Sequence, residues 1–250
     1  TPDHWRAHLG PIDEIWTASE FTRGAFKAAF DRDVFVFPLR VNVEGAAARR
    51  ETFGLHADRF YFMFSFDYFS STARKNPLAI VEAFKMAFPD ASEKVGLIIK
   101  STGDRDPGLR IKRAFEAAKA ADPRIIEIRE TLPRPDMLSL LASADCYVSL
   151  HRAEGFGLGM AEAMALGKPV IGTDYSGNCD FLTAETGFPV PFTHCEVKDG
   201  AYQNSSGMTW AEPDIAAAAR LMREVFLDQD KAAARAAAGK ALVEKTYGKA

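Results

Sequence analysis

The chain has 250 residues, 47% of them hydrophobic and 26% charged, which suits one large domain or two small ones and excludes disorder. Lys and Arg number 31 against 34 Asp and Glu, and the net charge of -3 argues against a nucleic-acid binder held by bulk charge. No apolar run approaches the roughly 18 residues of a membrane helix. The three cysteines (Cys146, Cys179, Cys195) are too widely spaced for a disulfide framework or a zinc site, which fits a reducing compartment.

The first residues, Thr1-Pro-Asp-His-Trp5, lack a signal-peptide pattern and enter in mid-pattern, so the chain reads as a fragment of a cytoplasmic protein. Strand-like and helix-like segments then alternate. A short apolar run at 12–16 precedes a helical pattern over 19–30 and a second run at 34–37. Residues 38–58 lose periodicity, and the linker is placed at 44–58. The aromatic run at 59–66 predicts a strand covered on both faces, core and not a stacking platform.

Asn76-Pro77 predicts an N-cap followed by proline at the first helical position, with Pro89 ending that helix. A strand at 95–99 leads to a helix opened by Asp106-Pro107 and running to about residue 121. A strand at 125–128, a helix at 135–144, a strand at 146–150, a helix at 159–166 and a strand at 170–173 follow. Two Ala-rich amphipathic helices begin near Asp214 and Asp228. This alternation predicts an α/β fold with a doubly wound, Rossmann-like parallel sheet.

Ligands of such sheets bind at the carboxyl ends of the strands. The loop there with the most chemistry is Ser149-Leu-His-Arg-Ala-Glu154-Gly-Phe-Gly-Leu-Gly-Met-Ala-Glu162. Gly155, Gly157 and Gly159 let backbone approach a ligand closely, and the helix that follows offers free amides to an anion. Glu154 stands in the loop and Glu162 on the helix. Asp104-x-Asp106 and Asp31-x-Asp33 are cheap matches to a metal-binding pattern, and neither is assigned to a metal. His4, His8, His56 and His194 have no ligand spacing.

The carboxylate pair resembles the E-x7-E element of the retaining nucleotide-sugar glycosyltransferases called family 4, or group 1, which have the two-Rossmann GT-B fold. Glu-Gly-Phe-Gly-Leu, then Glu-Ala-Met-Ala-Leu-Gly-Lys-Pro-Val-Ile, is similar to the family's core motif almost letter for letter, and Arg74-Lys75-Asn76-Pro77 to its lysine-bearing loop. The resemblance implies that residues 59–250 are the donor-binding C-terminal domain and that residues 1–43 are a remnant of the N-terminal, acceptor-binding domain. It implies catalytic roles for Lys75, facing the diphosphate leaving group, and Glu154, facing the donor sugar. It further implies that Glu162 accepts from the ribose diol and that the amides of Phe156, Gly157 and Leu158 lie near the phosphates, with Gly155 and His151 beside them.

One departure stands out. The family pairs its lysine with an arginine after the preceding strand, where this chain has Ser65-Phe66-Asp67. Arg74 and Arg152 are the two candidates to stand in for it. The resemblance implies transfer from a nucleoside-diphosphate sugar with retention, without an obligatory metal or cofactor. The acceptor, whether saccharide, lipid or protein glycan, is left open, as is contact of the absent half with the inner membrane face. Two rival readings remain: an NAD-type oxidoreductase domain, which would want glycine where Met160 stands, and a nucleotide-sugar-binding module without turnover.

Overall fold

A computed structural model of the chain describes residues 12–103 and 109–248. The helix opening at Asp106-Pro107, the Asp104-x-Asp106 triplet, His4, His8 and the first five residues lie outside the described residues. The described residues open with β1 (Glu14–Thr17), α1 (Glu20–Ala29) and β2 (Asp33–Val36), the two strands parallel to each other in a sheet of their own. Ser19 starts α1 because its hydroxyl accepts from the Thr22 amide while the Thr22 hydroxyl accepts from its own, a reciprocal cap. Ile15, Phe30 and Val34 form a small core inside this unit.

The main sheet has six strands, all parallel: β3 (Phe60–Asp67), β4 (Val95–Thr102), β5 (Ile125–Ile128), β6 (Cys146–Ser149), β7 (Val170–Thr173) and β8 (Phe188–Val190). Their order is β5-β4-β3-β6-β7-β8, the doubly wound arrangement of a Rossmann-like half. β3 is central, and its aromatic run is buried on both faces, as a parallel sheet covered by helices requires. Covering the sheet are α2 (Thr72–Lys75), α3 (Pro77–Ala87), α4 (Arg110–Ala121), α5 (Arg134–Ser143), α6 (Leu158–Ala165), α7 (Ile215–Leu227) and α8 (Gln229–Tyr247). An antiparallel hairpin of β9 (Phe192–Glu196) and β10 (Thr209–Pro213) stands apart from the main sheet.

The stretch expected to be a linker is packed against the domain that follows it. Leu55 is buried in the main core, and Arg50 grips Asp145 through two hydrogen bonds of 2.6 Å. Arg49 reaches Asp136 and Ser139 on α5. Asn76 departs from the expected capping chemistry. It ends α2 and precedes α3 with φ 52°, in the left-handed region, and its side chain caps neither helix. Its amide instead donates to the Leu150 carbonyl at 3.0 Å, which ties the turn after β3 to the end of β6.

Phe88, at the end of α3, is fully buried between Phe62, Phe84 and Phe226, with ring centroids 5.4–5.6 Å away. Phe88→Ala is expected to cost about 3–5 kcal/mol of unfolding free energy in a denaturant titration, because the rings around it cannot collapse into the gap. A loss below about 1 kcal/mol would show that this layer is loosely packed.

Candidate functional site

The order of the main sheet reverses at β3, which pairs with β4 on one side and β6 on the other. Loops leaving β3 and β6 therefore diverge at their carboxyl ends and leave a crevice between them. Lys75 and Arg74 come from the β3 side of that crevice, and Glu154 from the β6 side. Lys75 Nζ donates to Glu154 Oε1 at 2.5 Å, and Arg74 Nη1 donates to Glu154 Oε2 at 3.0 Å. The Arg74 guanidinium is held in turn by the Ala153 carbonyl and the Ser70 hydroxyl. Burial opposes ionisation of Glu154, yet Lys75 and Arg74 outweigh it and keep the carboxyl below its ordinary value.

A cavity of about 430 Å³ opens beside this cluster, and Glu162 faces the same space from α6. Glu162 is 5% exposed. Its Oε1 accepts from Arg134 Nη2 at 2.5 Å, while Oε2 has no protein partner among the described residues. Both carboxylates thus line one cleft, with the amino end of α6 between them.

The glycines divide by role. Gly157 precedes α6 with φ 96°, a conformation that L side chains rarely adopt, and a Cβ there would lie 2.6 Å from the Met160 methyl. Gly155 has open space around its α-carbon, so the tight approach is made by its neighbour across the loop. A Cβ on Gly177 would lie 2.3 Å from the Gly155 carbonyl oxygen. That contact, with Gly177 N–H donating to Glu154 O at 3.0 Å and Glu154 N–H to Ser176 Oγ at 2.8 Å, clamps the acidic loop from outside. Ser19, capping α1, donates its hydroxyl to the Gly155 carbonyl at 2.6 Å. Phe156 is buried against Phe181 and Tyr247, and Leu158 is exposed at the cavity rim.

Four of the sequence-predicted residues do not line the cavity: Arg74 pairs with Glu154 from behind and Gly155 follows it in the chain, while Arg152 and His151 lie elsewhere. Arg152 forms a two-pronged pair with Glu212 at 2.7 and 2.8 Å and lines a different cavity, beside Trp210. His151 is fully buried, Nδ1 bonding with the Ser149 hydroxyl and Nε2 with the Asn178 side-chain oxygen. Burial holds its imidazole below the ordinary pKa, only partly opposed by Glu154. Arg134, Ser65, Tyr147 and Ser149 line the cavity without having been singled out from the sequence. Arg134 carried one signal, its place at the start of α5, directly after the loop that leaves β5 at the ligand-binding edge of the sheet. Lys100 carried another, as the lone charge in the buried run of β4.

Residues 65–199, more than half of the chain, match the family described as glycosyl transferases group 1. The chain belongs to that family. No curated protein matches it by sequence. Among solved structures, a sucrose-phosphate synthase from Thermosynechococcus elongatus superposes with a TM-score of 0.74 at 20% identity, covering 98% of this chain and 56% of that one. A glycosyltransferase from Rickettsia africae gives 0.75 at 18% identity, covering 99% of this chain and 64% of that one. HepE from Anabaena, solved in complex with UDP and glucose, gives 0.72 at 18% identity, covering 94% and 59%. These likenesses establish the GT-B glycosyltransferase fold. The chain spans a little over half the length of the structures it matches.

The buried His151 sets a pH dependence. Its folded pKa lies below the ordinary value of 6.5, so the unfolded chain takes up a proton there that the folded chain refuses. Stability contributed by this site is present above pH 6.5 and declines as pH falls below it. Denaturant unfolding between pH 7.5 and pH 5.5 (the interval about that value) should show this fall, and His151→Gln should flatten it. An unchanged slope in the variant would assign the dependence to other groups.

Proposed function

We propose that residues 59–250 are the donor-binding half of a retaining, family 4 glycosyltransferase, and that residues 1–43, which include the first β-α-β unit, are a remnant of the acceptor-binding half. The observation that carries the reading is that Glu154 and Glu162 face one cleft from opposite sides of the amino end of α6, at the point where the sheet order reverses. A nucleoside-diphosphate sugar suits that cleft. The ribose diol meets the open oxygen of Glu162, the phosphates meet Lys75 and the α6 amides, and the sugar hydroxyls meet Glu154. UDP-bound HepE has the same fold, which makes UDP-sugars the first donors to test.

Each role follows from the state of the side chain. Lys75 spends one of its three donors on Glu154 and keeps two for a leaving group on which negative charge builds as the glycosidic bond breaks. Glu154 is a poor nucleophile, since a cation sits on each of its oxygens. It is a good acceptor for hydroxyls, having lone pairs to spare and a position fixed by two ion pairs. With both oxygens of Glu154 occupied by cations, acceptor attack and leaving-group departure take place on the same face, the diphosphate receiving the acceptor's proton, and no metal is assigned a step. Met160, packed beneath Gly157 where a dinucleotide fingerprint wants glycine, leaves the oxidoreductase reading without its close helix approach. A second wall is needed to orient the acceptor and exclude water, so the cytoplasmic enzyme acts with the acceptor half in place.

Calorimetry with UDP-, GDP- and ADP-sugars tests the reading. One donor is expected to bind the chain, and Glu162→Ala to weaken it by about ten- to a hundredfold, the worth of a charge-assisted hydrogen bond. Unchanged affinity in that variant would remove Glu162 from the site. The chain alone is expected to bind donor with little sugar transfer, and a longer version with the acceptor half to restore turnover. Efficient transfer by the 250 residues would show that they contain all the catalytic walls.

A further inference from the structure

Lys100 stands out from the buried polar groups. It lies near the carboxyl end of β4, is 2% exposed, and its ammonium donates to the Ser101 carbonyl at 2.8 Å. A lysine ammonium has three donors, and among the described residues no carboxylate lies within ion-pairing distance of this one. A buried cation with no carboxylate in contact is costly, and Lys100 has donors to spare for a partner that arrives from outside. Burial depresses its pKa, against the pull of Asp67 and Glu130.

The surroundings say where that partner lies. Lys100 lines a cavity of about 230 Å³ together with Ser65, Phe66, Thr102, Leu132 and Met137. Ser65 and Met137 also line the cavity that holds Glu154 and Glu162, so the two spaces adjoin across shared walls. In the β3–β4 register Lys100 stands directly opposite Ser65, and paired residues of parallel strands project to the same side of the sheet. The lysine therefore issues from the sheet beside Ser65, toward the crevice.

Charge counting favours an anion there. Lys75, Arg74 and Arg134 face Glu154 and Glu162, which leaves one net positive charge in the described cluster. A nucleoside-diphosphate sugar brings a negative charge on each phosphate. Against two phosphate charges the ion-paired set is one cation short.

We propose that Lys100 supplies this missing cation, its ammonium binding the pyrophosphate of the donor from the floor of the crevice. The proposal rests on the donor-site reading above and adds to it a residue from β4, which the motif of the β6 loop does not contain.

The test is a ligand series on the 250-residue chain. UDP, GDP and ADP are first titrated, and the nucleoside, monophosphate and diphosphate of the base that binds are then compared in wild type and Lys100→Met. The variant should lose about tenfold or more in diphosphate affinity with nucleoside affinity held within about twofold, and inorganic pyrophosphate should compete less well against it. An equal loss across all three ligands, or no loss, overturns the proposal while leaving the donor site standing. If no nucleotide binds the wild type, the donor-site reading fails and Lys100 with it. The substitution replaces a buried ammonium with an apolar side chain of similar length, so the thermal midpoint should hold or rise. Lys100→Gln, which keeps a donor for the Ser101 carbonyl, is expected to give the same pattern if the methionine variant folds poorly.

Discussion

The architecture of the crevice depends on one carboxylate held by two cations. Glu154 leaves β6 and Lys75 and Arg74 leave β3, so their ion pairs span the place where the sheet changes direction. Beneath them the Arg152 amide donates to the Arg74 carbonyl and the Asn76 side-chain amide to the Leu150 carbonyl, so the two loops, which would otherwise run apart, are tied at their base. The pairs are mostly shielded from water, where each charge would be costly alone and is stabilised by its partners. A cleft built this way keeps its acid ionised and its lysine aimed before any ligand arrives. That is the pre-organisation an anionic leaving group needs.

The backbone around Glu154 is fixed with similar economy. Its amide and carbonyl are both used by residues 176 and 177, and the close pass of Gly177 over Gly155 is compatible only with a missing side chain. Ser19 serves at once as the cap of α1 and as the donor to Gly155. The first βαβ unit, which has its own small core and its own strand pair, is thus joined to the acidic loop through Gly155 and to the turn after β7 by Glu20 N–H donating to Asp180 Oδ2 at 2.9 Å.

Much of this was legible in the sequence, for identifiable reasons. The aromatic run of β3, the Pro-started α3 and the pairing of glycines with glutamates within one short segment are local signals, and local signals survive without tertiary information. β8 escaped notice because three residues with Pro189 in the middle have no period to read, and proline is tolerated there since the strand lies at the sheet edge. The β9–β10 hairpin has a long connection and a mostly exposed first strand, so neither turn chemistry nor alternation announces it. Arg134 and Lys100 come from separate strand-helix units, and only the folded sheet shows that they share walls with Glu162 and Ser65.

The final helix carries a consequence for how the molecule is made. Tyr247, near its end, lays its ring against Phe156 in the acidic loop and accepts from the Val41 amide through its carbonyl. The segment that leads into β3 and the glycine turn therefore both wait on a residue synthesised long after the acidic motif. A chain emerging from the ribosome can pair its strands well before it can seat that loop, since contacts so distant in sequence close late and at high entropic cost. A polypeptide cut short within α8 would therefore carry every residue of the acidic motif with an unfinished floor beneath it.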